Sequence, residues 1–240
     1  MNLYQNLFRG GMNNTGGLTL TRLTVQGEAL NELARPDYEA NLREGRRSPG
    51  YLVEGTLGKL LLPRAIQPGD SAVFEVAWNF RMPGALAPRT GFEDAVGGRV
   101  LQVAQWYPQI AVYDDVVGMD VTPYREQGEF YLDYGDWDVE LTLPSGWLVM
   151  ATGELTNPEQ VLTPTVRQRL AAAMQSDSIT RVVTRFSSTP TTTSSTSPSL
   201  MRMRWPICTS RGSGVNGVET SCALPRPGSV EITNGLPLCR

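Results

Sequence analysis

The stretch from Phe130 to Leu143 limits the fold more than any other part of the chain. Phe130, Leu132 and Tyr134 alternate with Tyr131 and Asp133, and Trp137, Val139, Leu141 and Leu143 alternate with Asp138, Glu140 and Thr142. A period of two puts every apolar side chain on one face, as a half-buried strand requires. Gly135-Asp136 permits a bend or bulge between the two runs. Pro144-Ser145-Gly146 is a turn signal, because proline presets φ and glycine accepts positive φ. Trp147 to Thr152 is then expected to pair back, so Trp137 to Thr152 reads as a β-hairpin. Upstream, Val100 to Tyr107 is an apolar run stopped by Pro108, which has no N–H for a ladder. Ile110 to Tyr113 is a short piece ending at Asp114-Asp115.

The rest of the first 180 residues fits the same picture. Leu18, Leu20, Leu23 and Val25 with interleaved threonines form a strand, after glycine-rich loops at Gly10-Gly11 and Gly16-Gly17. Glu28 to Leu33 reads as one or two helical turns, and Arg46 to Gly50 as a loop. Tyr51 to Leu62 is strand-like and ends at Pro63; Gln67-Pro68-Gly69-Asp70 is a turn. Phe74, Val76, Trp78 and Phe80 give another strand, and Pro83 to Gly98 a loop. Asn157-Pro158 opens a turn. Thr163-Pro164 supplies an N-cap and a proline at the first helical position, predicting one helix over Pro164 to Gln175. The fold class expected is mainly β, an antiparallel sandwich or saddle with one helix.

Residues 181–240 change character. They include low-complexity FSSTPTTTSSTSPS from Phe186 to Ser199 and hold seven Arg and two Glu, against 14 bases and 22 acids in residues 1–180. Such a segment buries too little apolar surface to offset chain entropy, so disorder is expected. The boundary at residue 180 separates the two predicted regions.

Composition closes off several functions. The formal charge of −3 does not suggest a nucleic-acid or anionic-membrane partner. No apolar run reaches the ~18 residues of a membrane span. The start shows no basic n-region followed by an apolar h-region. The chain contains no histidine, which removes HExxH zinc sites, Ser-His-Asp and Cys-His nucleophiles, and histidine acid–base catalysis. Cys208, Cys222 and Cys239 match no zinc spacing, and their odd number leaves one unpaired.

Two clusters have a functional and a plain reading. Nine acids lie between Asp114 and Glu140 against the single base Arg125. Several carboxylates suit calcium, but the EF-hand spacing is absent, and Asp138 and Glu140 fall on the wet face of a strand. Solvated charge explains them, and no pair stands out as a glycosidase acid and base. The aromatics Trp106, Tyr107, Tyr113, Tyr124, Phe130, Tyr131, Tyr134, Trp137 and Trp147 could stack sugars, but aromatics are also what strands are made of. Tyr124 and Tyr131 are the expected exposed exceptions.

Three blocks, LYQNLFR from Leu3, VLQVAQWYPQIAVYDD from Val100, and GEFYLDYGDWDVELTLPSGWLVMATGELTNPEQVLTP from Gly128, resemble the N-terminal β domain of M1-family zinc metallopeptidases. These are gluzincin aminopeptidases, and the large bacterial exported members look most similar. The resemblance covers about residues 3–180. It implies a saddle-like domain that packs on a catalytic domain and helps wall a peptide cleft, with zinc held by the parent enzyme and a periplasmic or extracellular location. HExxH and a GxMEN-like segment are both missing here, so the resemblance carries over no catalytic or metal residue and no cofactor for this chain. In some members a glutamine of this domain reaches the cleft; Gln102 and Gln105 are the nearby candidates. The resemblance begins partway into the expected domain and fades near Arg181. That suggests a fragment with a late start and a frameshift or misassembly near residue 181. The function expected is structural and substrate-positioning, with the parent's catalytic domain and a peptide as partners. The alternative is a stand-alone β-sandwich module for peptide or glycan. A hydrolase within this chain would need a mechanism without histidine.

Overall fold

A computed structural model describes residues 1–45, 48–84, 89–95, 98–124, 132, 135–143, 147–183, 199–205 and 221–224, the backbone alone at 148, 199–205 and 221–224. A 3-10 turn over Tyr4–Arg9 comes first. Strands β1 (Leu18–Val25), β2 (Glu28–Ala29) and β3 (Asn31–Glu32) precede helix α1 (Arg35–Arg43). There follow β4 (Gly50–Glu54), β5 (Leu57–Leu61), β6 (Phe74–Phe80), β7 (Gly91–Ala95), β8 (Gly98–Gln102), β9 (Tyr113–Asp114), β10 (Gly118–Met119) and β11 (Trp137–Leu143). The chain continues through β12 (Leu148–Val149), β13 (Glu154–Leu155), α2 (Pro158–Val161), α3 (Pro164–Ala173), β14 (Ser199–Trp205) and β15 (Ser221–Leu224). The protein is mainly β, and its described residues fall into two compact units: those within Met1–Gly91 and Ala104–Gly135, and those within Phe92–Val103 and Asp136–Ile232.

In the first unit, β1 runs antiparallel between β2 and β6. Its apolar residues are out of phase for a regular strand, because Leu20 and Leu23 are an odd number of positions apart. A bulge resolves this: Leu20 opposes Trp78, Arg22 opposes Ala77, and Thr21 is the extra residue. Leu18, Leu23 and Val25 are thereby all buried, together with Leu3, Leu30, Tyr51, Val76 and Trp78. Full burial of side chains of this size stabilises by about 1.5–3 kcal/mol each.

The helical turns expected over Glu28 to Leu33 are not there. Gln26 and Gly27 both have positive φ (53° and 80°), the conformation of a type I′ hairpin turn, and they fold Glu28 back onto Val25. Glutamine is not a usual residue for that turn, which hid it. The single strand expected from Tyr51 to Leu62 is instead the hairpin β4–β5, with Glu54 opposite Leu57. Gly55, at φ 57°, is the first residue of its two-residue turn. Helix α1 was not foreseen; a proline stands at its start and Tyr38 is its buried contact.

In the second unit, β11 keeps the expected alternation, with Val139 and Leu143 buried and Asp138, Glu140 and Thr142 exposed. Its partner is not the one expected. All seven residues of β11 pair antiparallel with β14, and β13 lies on the other side of β14. Leu148–Val149 joins β15 in a sheet ordered β12-β15-β8-β7. The Trp137 to Thr152 hairpin is therefore overturned: alternation fixes which face is buried but not which strand lies alongside. Ser199–Trp205 and Ser221–Leu224 are likewise strands where disorder was expected across the whole tail. β7 falls inside the expected Pro83 to Gly98 loop, where Arg99 grips both Asp94 carboxylate oxygens at 2.7 and 3.0 Å and lies 4.2 Å over the Phe92 ring.

The expected helix is present as α3. Thr163 Oγ1 accepts from Val166 N at 3.3 Å, and Pro164 is at its start. α1 and α2 add to the one helix foreseen. Among the described residues, no helix is long and apolar enough to cross a membrane. Of the strand expected at Phe130 to Tyr134 only Leu132 is described, and it is not in a strand; the turn at Pro144 to Gly146, Cys208 and Cys239 lie outside the described residues.

Candidate functional site

The most organised polar feature is a buried seam in the first unit. Asn2 exchanges two backbone hydrogen bonds with Gln109, at 2.6 and 3.0 Å, and also bridges to Leu57. Leu3 N donates to Thr56 O at 2.8 Å. The 3-10 turn then brings Gln5 inward. Its Nε2 lies within reach of Thr90 Oγ1, Ala104 O and Gln105 O, at 3.4, 3.2 and 3.3 Å. Thr90 Oγ1 donates to Ala104 O and accepts from Ala104 N, at 2.6 and 3.2 Å. Asn6 spans Gly55 O and Leu18 N, each at 2.9 Å. Gln5 and Thr90 are each 1% exposed.

Apolar contacts support the seam. Trp78 Nε1 donates to Trp106 O at 2.9 Å, the two rings lie 6.0 Å apart, and Tyr107 meets Trp106 edge-on at 5.1 Å. Burial pushes the Tyr107 phenol upward, against a smaller downward pull from its hydrogen bond with Gln109.

The two candidate glutamines separate here. Gln102 closes β8 opposite Ser221, in the second unit. Gln105 belongs to the first unit, and its backbone is left-handed at φ 49°, a conformation that non-glycine residues hold only when their surroundings enforce it. The Gln5 amide on its carbonyl is part of that enforcement. Its side-chain Oε1 is buried and makes no hydrogen bond among the described residues, and the same holds for Gln5 Oε1, Gln109 Oε1 and Asn2 Nδ2. Asn2, Gln5, Thr90 and Gln109 were not singled out from the sequence, because a short polar turn has no hydrophobic period to mark it.

Among the described residues, the other candidate clusters do not assemble a site. Asp114 Oδ1 accepts from Val116 N and Val117 N at 2.8 and 2.7 Å, and Asp120 Oδ1 from Thr122 N at 3.0 Å. These are turn-forming bonds. Among the described residues, no three His, Cys, Asp or Glu side chains lie together as metal ligands would. Glu126, Glu129 and Asp133 lie outside the described residues. Tyr124, expected to be exposed, is half-buried and meets Tyr4 edge-on at 4.9 Å; Tyr131 is not described. Of the described aromatics in the proposed stacking set, only Tyr113 is exposed. An open groove of about 440 Å³ is bounded by Val25, Pro63 and Ile66 together with the polar Gln26, Arg64, Gln67 and Asp70. Comparison with family models, curated proteins and solved structures gives no match to this chain.

Proposed function

We propose that this chain is a non-catalytic β domain of the kind that precedes the catalytic domain in M1-type zinc metallopeptidases, with a structural and substrate-positioning role. The observation that carries the reading is the seam. Two of the sequence blocks that bear the resemblance, Leu3 to Arg9 and Val100 to Asp115, lie about 100 residues apart in the chain, yet Gln5 hydrogen-bonds Ala104 and Gln105 directly. The strained, anchored Gln105 is the better substrate-contact candidate of the two glutamines. Its free side-chain carbonyl would accept from a peptide N–H or a terminal ammonium once the side chain swings outward. Zinc and the water it activates belong to the parent's catalytic domain, since a chain without histidine cannot build an HExxH site.

The test is to resequence the encoding DNA through codon 181 and translate every frame onward. A continuing frame with HExxH and a GxMEN-like segment supports the reading. An intact frame without them overturns it. A second check is hydrolysis of aminoacyl anilides by the purified chain with added zinc, where no turnover is expected. The glycan- or peptide-binding module is the weaker reading, because the seam draws Trp106, Tyr107 and Tyr124 inward rather than presenting them as a platform.

A further inference from the structure

The hairpin β9–β10 has an unusual surface. Tyr113 opposes Met119 in its register, so the two side chains share a face. Tyr113 is 72% exposed, Val116 86%, Val117 69% and Val121 61%. Turn positions normally carry glycine, asparagine, aspartate or proline; here two valines occupy the tip. They are held there: the Asp114 carboxylate caps both their N–H groups, and Gly118 closes the turn at φ 74°. A fixed loop that presents branched apolar side chains to water is the mark of an interaction surface.

The surrounding charge selects the occupant. From Gln109 to Tyr124 the sequence has no lysine or arginine. Among the described residues, neither Asp115 nor Asp120 has a basic partner. An anionic lipid surface would be repelled, and insertion into one normally uses flanking bases. A second copy would bring the same carboxylates against these. A cationic rim is the complement.

We propose that the β9–β10 hairpin is a docking finger for a protein surface consisting of an apolar cleft bordered by arginine or lysine. This stands apart from the peptidase reading, since it uses only the exposure and charge of the hairpin.

The full chain is titrated, by fluorescence anisotropy, against a labelled leucine-rich peptide flanked by arginines and against the same peptide flanked by glutamates. The arginine-flanked peptide is expected to bind roughly tenfold tighter or better, and to weaken with added salt. Val116→Asp and Val117→Asp should abolish that binding while leaving the urea midpoint unchanged. Asp115→Asn with Asp120→Asn should narrow the gap between the two peptides. Absence of binding, equal binding of both peptides, or binding that survives Val117→Asp overturns the proposal. So does Val117-dependent binding to phosphatidylserine vesicles, or self-association in sedimentation that Val117→Asp removes.

Discussion

The seam and the β9–β10 hairpin invert the usual distribution of polarity in opposite senses. In the seam Asn2, Gln5, Asn6, Thr90 and Gln109 are buried. In the hairpin Tyr113, Val116, Val117 and Val121 face water. The two inversions are balanced differently. The buried Gln5 Nε2, Asn6 and Thr90 groups are balanced by backbone and side-chain partners that replace water, while Asn2 Nδ2, Gln5 Oε1 and Gln109 Oε1 are not. The exposed valines are instead the residues to which the proposed docking would supply apolar contact. The seam's hydrogen bonds should therefore matter most to stability, and the hairpin's exposed side chains to the proposed docking.

Substitutions can separate these roles. The largest effect is expected for Gln5→Leu, which removes the side-chain donor from the Gln105 carbonyl and one of two from the Ala104 carbonyl; the unfolding free energy should fall by about 2–4 kcal/mol in urea titration. Thr90→Val keeps the shape but removes one hydroxyl that both donates and accepts at Ala104, and about 1–3 kcal/mol should be lost. Thr163→Ala removes the cap of α3, in the second unit, for about 1 kcal/mol. Val117→Asp should change stability by under about 0.5 kcal/mol. A Val117→Asp loss as large as that of Gln5→Leu would break the comparison, because the hairpin would then be part of the core.

The smallest effect is a pH dependence in the first unit. Hydrogen bonds from Lys59, at 2.6 Å, and from Arg35 hold the Glu54 carboxyl down to about 2, from an ordinary value of 4.5. The folded state therefore resists protonation more than the unfolded chain does. The contribution is complete above pH 4.5 and is lost as pH falls through about 2. Denaturation midpoints of the wild type and Glu54→Gln should converge across that window.

What could be read in the sequence follows from what periodicity encodes. The buried faces of β6 and β11 were legible, as was the capped start of α3, since each depends on neighbours within a few residues. β1 was legible in its apolar positions, and the bulge at Thr21 accounts for their broken phase. The partners of β11 and β12 were not, because a strand's alternation is the same whichever strand it pairs with. The hairpin turns at Gln26-Gly27 and Gly55-Thr56 lacked the Asn-Gly or Asp-Gly signal. The seam was least legible: its members are scattered from Asn2 to Gln109, and only Gln105 was anticipated among its side chains. The exposed valines were missed because an apolar residue in sequence reads as core.

The bond from Gln5 to the Ala104 and Gln105 carbonyls joins groups 99 and 100 positions apart in sequence. Closing so long a loop must precede any return from the contact. Other bonds of the same segment close shorter loops: Asn6 meets Leu18 N and Gly55 O, and Leu3 N meets Thr56 O. Those contacts should form before the Gln5 bond, which makes closure of the seam a late step in folding of the first unit.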